Sequence, residues 1–254
     1  MLIANRLYQK IGDELKLLLK GGTYKVGDRL PPERDIAETF NVSRTVVREA
    51  LIMLELENLI AVKKGSGVYV INLPSDVLSE TNKHIEEDDV GPFELLQARQ
   101  LIESNIAAFA ATQIVKSEIM ALRAILEQEK KMLDDEIMDD YSADEMFHIA
   151  IARATKNSVL EDLLNELWEK RYKSKMWDKL HSRIQDNSYR KKWLCDHEKI
   201  LQAFQIRDAQ AARQAMWQHL ENVKQTLMTI SDNEDPHFDG FLFESIPSGI
   251  INNE

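Results

Sequence analysis

Residues 30–70 read LPPERDIAETFNVSRTVVREALIMLELENLIAVKKGSGVYV, and their pattern decides the N-terminal fold. Pro31-Pro32 end whatever precedes them and can open a helix at its first turn. Ile36, Ala37 and Phe40 then make one apolar stripe, Asn41-Val42 interrupt it, and Ser43 stands where a hydroxyl can cap the next helix. That helix turns Val46, Val47, Ala50, Leu51 and Leu54 inward. The spacing is that of a helix-turn-helix. Arg44, Thr45 and Arg48 are expected on its opening turns, away from the apolar stripe, and a recognition helix meets base edges with its N-terminal residues. Arginine can bond a guanine edge with two parallel donors, while a hydroxyl serves base or phosphate. After Asn58 the period shortens to two, through Ile60 and Val62, then KKGSG at 63–67, then Val68 and Val70. Taken alone, this hairpin is as easily a surface turn with solvated lysines as a phosphate-binding wing. Directly after a helix-turn-helix the wing reading gains, because glycine permits close approach and lysine supplies charge.

Composition sets outer bounds. A chain of 254 residues, 44% hydrophobic and 30% charged, is ordinary for a globular protein of one or two domains. No apolar run approaches the roughly 20 residues that span a bilayer, and MLIANRLYQK lacks the long apolar core of an export signal. A cytoplasmic location, with no membrane partner, is therefore expected. The single cysteine, Cys195, excludes an intrachain disulfide and a cysteine-based zinc cluster.

The net charge of −11 conceals an asymmetry. Residues 1–74 hold 11 Lys and Arg against 9 Asp and Glu, a balance of +2, so the remainder carries −13. The first part must gather its positive charge on one face, and DNA binding should depend on salt and on dimerisation. Residues 73–92, LPSDVLSETNKHIEEDDVGP, read as an acidic linker and a natural hinge. From Phe93 to about Ser231 the pattern predicts six helices, at 92–113, 116–135, 140–155, 157–183, 188–206 and 208–230. The expected fold is mainly α: a winged helix-turn-helix domain over 1–73, a linker over 74–91, an all-helical bundle over 92–231 and a tail over 232–254.

The helical part carries a second constellation. Asp144 and His148 lie four residues apart, so both project from one helix face. His197 lies among Leu194, Ile200, Leu201 and Phe204, and His219 among Ala212, Met216, Val223 and Leu227. A tight turn near Arg207-Asp208 would bring these last two imidazoles level to within one helical turn. One inward histidine is usually a hydrogen-bonded core residue. Three at matching depth, with an aspartate, also suit a divalent metal such as zinc, nickel, manganese or iron. Spacing alone leaves both readings open.

Arg99 falls in the stripe Leu95, Arg99, Ile102, Ile106 and Phe109, which points a permanent charge at an apolar interior, where it needs a partner. Two partners are open: Glu103, one turn along, or the carboxylate of a small effector. Helix phase does not settle whether Arg171 and Lys173 face inward. Trp168, Trp177, Trp193 and Trp217 are expected in the core. A hydrolytic metal centre competes with a sensing site, but it would need a positioned base. Asp196 and Glu198 flank His197, and adjacent helix residues point away from each other. The sensing site is therefore favoured.

The stretch PPERDIAETFNVSRTVVREAL with the KKGSGVYV hairpin resembles the winged-helix domain of the GntR family of bacterial transcription regulators. The resemblance implies that Arg34, Ser43, Arg44, Thr45, Arg48, Lys64 and Gly65 lie at double-stranded DNA. Glu33 and Glu49 are expected to be intramolecular partners, since phosphate repels carboxylates. QARQLIESNIAAFAA, DEMFHIAIARATKN and DHEKILQAF resemble the FCD ligand-binding domain of the FadR branch, which implies a metal on Asp144, His148, His197 and His219 and an effector carboxylate on Arg99. Over nearly its whole length, including the tail motif FDGFLFES, the chain resembles hexuronate-operon repressors of the UxuR and ExuR type. That resemblance implies a homodimer on a palindromic operator, released by a glucuronate- or galacturonate-related acid.

Overall fold

The computed structural model describes residues 6–74, 89–135, 141–183 and 189–231. The tail over 232–254 and most of the acidic linker, at 75–88, lie outside the described residues. The N-terminal part opens with α1 (Leu7–Lys20), which buries Tyr8, Ile11, Leu15 and Leu19 on one face. It packs on α3 (Arg44–Leu56), as does α2 (Glu33–Phe40). Asn41 ends α2 in the left-handed region at φ 52°, a conformation asparagine tolerates better than most residues. Ser43 Oγ then accepts from Val46 N at 3.4 Å, the N-cap that the sequence anticipates. Val47, Ala50, Ile52 and Leu54 of α3 are wholly buried.

Strands β1 (Ile60–Lys63) and β2 (Gly67–Val70) pair antiparallel, from Ile60 opposite Val70 to Lys63 opposite Gly67. Residues 28–30 run along the other edge of β2, with Leu30 N donating to Val68 O and Val70 N to Asp28 O, each at 2.9 Å. A Cβ on Gly67, which sits at φ 106°, would meet the Arg29 side chain at 2.5 Å. The backbone conformation therefore favours glycine there, while the Arg29 guanidinium, at the end of a flexible side chain, could move aside.

Seven described helices follow: α4 (Pro92–Gln113), α5 (Lys116–Asp134), α6 (Ser142–Ala154), α7 (Ser158–Lys173), α8 (Lys175–His181), α9 (Tyr189–Gln205) and α10 (Ala209–Ile230). The long α4 is the spine, touching α6, α7, α8 and α10, while α5 packs on α6 and α9. The turn between α9 and α10 lies where expected: Arg207 takes φ 54°, and Asp208 Oδ1 caps Ala211 N at 2.9 Å. One expectation is corrected, since the helix predicted over 157–183 is two helices, α7 and α8. At the break, Ser174 adopts ψ 114°, its Oγ accepts from Trp177 N at 3.0 Å, and it donates to Val90 O at 3.0 Å. The acceptor lies 84 residues away in sequence, so no local pattern reveals the break. Trp217 is also corrected, at 40% exposed, whereas the other three tryptophans are buried.

The two parts touch through buried polar contacts. Glu49 Oε1, on α3, accepts from the amides of Phe93 at 2.7 Å and Glu94 at 2.9 Å, so it caps α4 from another part of the chain. A Cβ on Gly91 would come within 2.4 Å of that carboxylate, so this approach requires glycine. Arg6 pairs with Glu94 at 2.9 Å, Tyr8 Oη donates to Asp89 O at 2.7 Å, and Glu55 of α3 receives Arg183 at 2.5 Å and Lys179 at 3.4 Å.

Burial pushes the Glu49 carboxyl up to about 7, against the lowering effect of the two amide bonds. The folded state thus binds a proton that the unfolded chain releases near its ordinary carboxylate value, and the associated stability is lost as pH rises toward and through 7. Glu49→Gln keeps the acceptor without the charge. In urea unfolding the variant should match the parent below about pH 4 and exceed it above pH 8 by up to about 3 kcal/mol. A parent that gains on the variant as pH rises would contradict this assignment.

Candidate metal centre, its cleft and the candidate DNA surface

The start of α3 and the tip of the hairpin both present polar residues. Arg34, Ser43, Arg44, Lys64 and Gly65 are exposed, and Thr45 is half-buried. Ser43 and Thr45 share a hydroxyl hydrogen bond of 2.7 Å, and Lys63 Nζ lies 4.7 Å over the Tyr69 ring. Among the described residues Arg34 pairs with its neighbour Asp35, at 3.3 Å. Arg48 departs from the expected outward orientation and is wholly buried. Its Nε and Nη2 donate to the Glu33 carboxylate at 2.5 to 3.1 Å, and its Nη1 donates to Met228 O at 2.5 Å and Ser231 Oγ at 3.0 Å. The end of α10 therefore covers the residue that the sequence places on the outer face. Glu33 and Glu49 are both intramolecular partners, as charge repulsion from phosphate suggests.

Within the bundle, α6 brings Asp144 and His148, α9 brings His197 and α10 brings His219 to one point, their ligand atoms all within 4.8 Å of one another. His197 Nε2 lies 3.2 Å from His219 Nε2 and 3.4 Å from Asp144 Oδ1, while His148 Nε2 lies 3.5 Å from the same oxygen. Ligands at 2.0–2.1 Å in a tetrahedron stand about 3.3 Å apart, so the donor set fits a small divalent ion. His148 Nε2 is buried without a hydrogen-bond partner among the described residues, so a divalent ion that displaces its proton gains a ligand there.

Two further carboxylates orient the rings. Glu103 of α4 takes the Nδ1 of His148, and Glu129 of α5 takes the Nδ1 of His197 at 2.9 Å. A ligand histidine held in this way turns Nε2 toward the metal. Burial alone would raise the Asp144 carboxyl, but hydrogen bonding and charge from His148, with His197 and Arg99, hold it well below the carboxylate range. Burial alone would likewise lower His148, yet Glu103 and Asp144 carry it up to about 9. Burial and the neighbouring imidazoles keep His219 neutral, well below its ordinary value. The cluster is thus a site that draws in positive charge. Glu129 was missed by the sequence reading, although the stripe Leu122, Leu126, Glu129, Leu133 carries the signal: an acid at a helical core position.

A narrow cleft opens beside the cluster, with Asp144, His219, Arg99 and Arg171 in its wall. Trp177 and His181 of α8 and Val223 and Leu227 of α10 line it as well. Arg99 takes the Glu103 partner, with Nε to Oε1 at 2.5 Å, and stacks on Trp168 at 4.2 Å. It reaches the cleft as part of a Glu103–His148 network. Lys173 is exposed and pairs with Glu169 at 2.9 Å. Neither acid beside His197 serves the cluster as a base: Asp196 bonds Lys199 and Asn222, each at 2.7 Å, and Glu198 is exposed. Among the described residues no helix is long and apolar enough to cross a membrane.

Comparison with known proteins agrees with both halves of this architecture. Residues 7–70 match the bacterial regulatory proteins of the gntR family, and residues 94–222 match the FCD domain. The chain is 55% identical to the Uxu operon regulator of Haemophilus influenzae, over 96% of this chain and 91% of that protein. It is 48% identical to the Uxu operon transcriptional regulator of Escherichia coli, over 96% of this chain and 95% of that protein. It is 46% identical to the Exu regulon transcriptional regulator of Escherichia coli, over 95% of this chain and 93% of that protein. With a winged helix-turn-helix at one end and an FCD domain at the other, the chain belongs to the GntR family of bacterial regulators, which act by binding DNA and not as enzymes.

Proposed function

We propose that this regulator is a dimeric repressor of hexuronate breakdown, released from a palindromic operator by a glucuronate- or galacturonate-related acid. The observation that carries this reading is near-full-length identity to Uxu and Exu operon regulators, joined to a cleft that pairs a metal-fitting cluster with two arginines. Asp144, His148, His197 and His219 would hold a divalent ion, zinc being well matched to three imidazoles and a carboxylate, with nickel, manganese and iron as alternatives. Such an ion would supply a Lewis-acid grip on effector oxygens. Arg99 orients the site through Glu103 and presents its remaining donors to the cleft. On the DNA side, Arg44 and the Ser43 and Thr45 hydroxyls read the operator, with Arg34, Lys64 and Gly65 against the phosphate backbone.

The route from cleft to DNA runs through shared helices. Helix α8 and the segment just after it line the cleft with Trp177 and His181 and grip Glu55 of α3 with Lys179 and Arg183. Helix α10 carries His219 and Leu227 at the cleft, and its end covers Arg48. An effector that fastens α8 and α10 therefore fastens the reading head in a docked position, with Arg48 withheld from phosphate. This is a population shift between docked and freed heads.

A mobility shift on DNA upstream of the protein's own gene and its neighbours, with glucuronate, galacturonate, fructuronate, tagaturonate and mannonate added in turn, should show binding that one acid releases; binding that no acid alters sinks the uronate assignment. Arg44→Ala should weaken specific DNA binding by tenfold or more, on the order of 1–3 kcal/mol for a lost bidentate contact, and leave metal content unchanged. His197→Ala should do the reverse in elemental analysis, falling from one divalent ion per protomer toward none and losing the rise in melting temperature that added zinc gives the stripped parent. Full metal occupancy in that variant would remove the metal assignment.

A further inference from the structure

Arg171, at the end of α7, is 6% exposed and lines the cleft, yet among the described residues it makes no hydrogen bond or ion pair through its side chain. Its surroundings are aromatic, with the guanidinium carbon 4.7 Å from the centre of the Tyr141 ring, 4.9 Å from Trp177, 5.1 Å from Trp168 and 5.4 Å from Tyr172. Ring faces attract the cation, but they do not satisfy its five N–H donors, which lie in the plane of the group. Desolvation lowers its pKa from the ordinary arginine value, partly offset by the charge of Asp144. Neighbouring charges are answered: Arg99 by Glu103, Asp144 and Glu129 by the imidazoles or the ion they would hold. Among the described residues, Arg171 is thus a cleft-lining cation without a direct carboxylate partner.

We propose that Arg171 is the carboxylate subsite of the cleft, and that the ligand is a hydroxy- or keto-monocarboxylic acid bound with its acid group on Arg171 and its neutral oxygens toward the Asp144–His219 side. This deepens the function proposed above and rests on its reading of the cleft as an effector site. It assigns the acid group to a different arginine from the Arg99 expected from the sequence. A planar fork in a desolvated aromatic box forms two parallel charge-assisted bonds to one carboxylate. The same box leaves a neutral sugar with an unanswered guanidinium, so discrimination between an acid and its uncharged counterpart originates here.

The test is calorimetric titration of the metal-loaded, full-length protein with glucuronate, galacturonate, fructuronate, tagaturonate, mannonate, gluconate and lactate, and with glucose and galactose as uncharged counterparts. The parent should prefer an acid over its neutral counterpart by a hundredfold or more. Arg171→Gln should lose at least thirtyfold in acid affinity with metal content unchanged, and Arg171→Lys, which keeps the charge but not the fork, should fall between. Unchanged acid affinity in either variant overturns the subsite while leaving a hexuronate effector in place. Arg171-dependent binding of lactate or gluconate alone supports the subsite and removes the hexuronate reading. A parent that binds no acid overturns the subsite.

Discussion

Three carboxylates gathered inside a helical bundle, Glu103 and Glu129 buried and Asp144 at the cleft wall, impose the constraint around which the C-terminal half is arranged. A buried carboxylate without a counterpart costs several kcal/mol, so each must be met, and the groups that meet them come from different helices. Glu103 on α4 takes Arg99 and His148, Glu129 on α5 takes His197, and Asp144 on α6 faces His148 and His197. Five helices are thereby fixed at a single point, since His219 enters on α10 against His197. Apolar packing alone would allow these helices to slide by a fraction of a turn, and the charge network does not. The positive character that the cluster demands is the same property that suits it to a divalent ion.

How much of this was legible depended on whether the partners were near in sequence. The capping serine, the break at Asn41 and the two-residue period after Asn58 are local signals, and they gave the winged helix-turn-helix. The quartet of Asp144, His148, His197 and His219 was legible because one pair sits at helical spacing and the other spans one tight turn at Arg207-Asp208. Arg48 illustrates the opposite case. Its helical phase puts it beside Arg44 and Thr45, but its carbonyl acceptor is 180 residues away, and only the folded chain brings the two together. The break at Ser174 and the inward face of Arg171 were hidden for the same reason. Glu129 was readable in principle, since an acid in a leucine stripe announces a buried partner.

The interface between the two halves combines apolar packing, within one continuous cluster of buried residues, with directional polar contacts. The polar contacts are caps and ion pairs: Glu49 on the amides of α4, Glu55 between Lys179 and Arg183, and Arg48 under the last turn of α10. Such contacts are directional, so a small rotation of α8 or α10 breaks them together instead of weakening them by degrees. Interfaces with two discrete arrangements behave in this way. The polar junction thus accounts for how a cleft lined by α8 and α10 could bear on α3 without any segment having to unfold.

Because α10 carries His219 at one end of this path and the cover over Arg48 at the other, occupancy of the cleft and engagement of the operator draw on one shared equilibrium in the proposed mechanism. Linkage is reciprocal: whatever factor the acid removes from affinity for DNA, the operator must remove from affinity for the acid. A promoter-bound copy is therefore a less sensitive detector than a free one. The concentration of acid that clears an operator is set by the strength of that operator, so a single protein can release weak sites early and strong sites late as the acid accumulates.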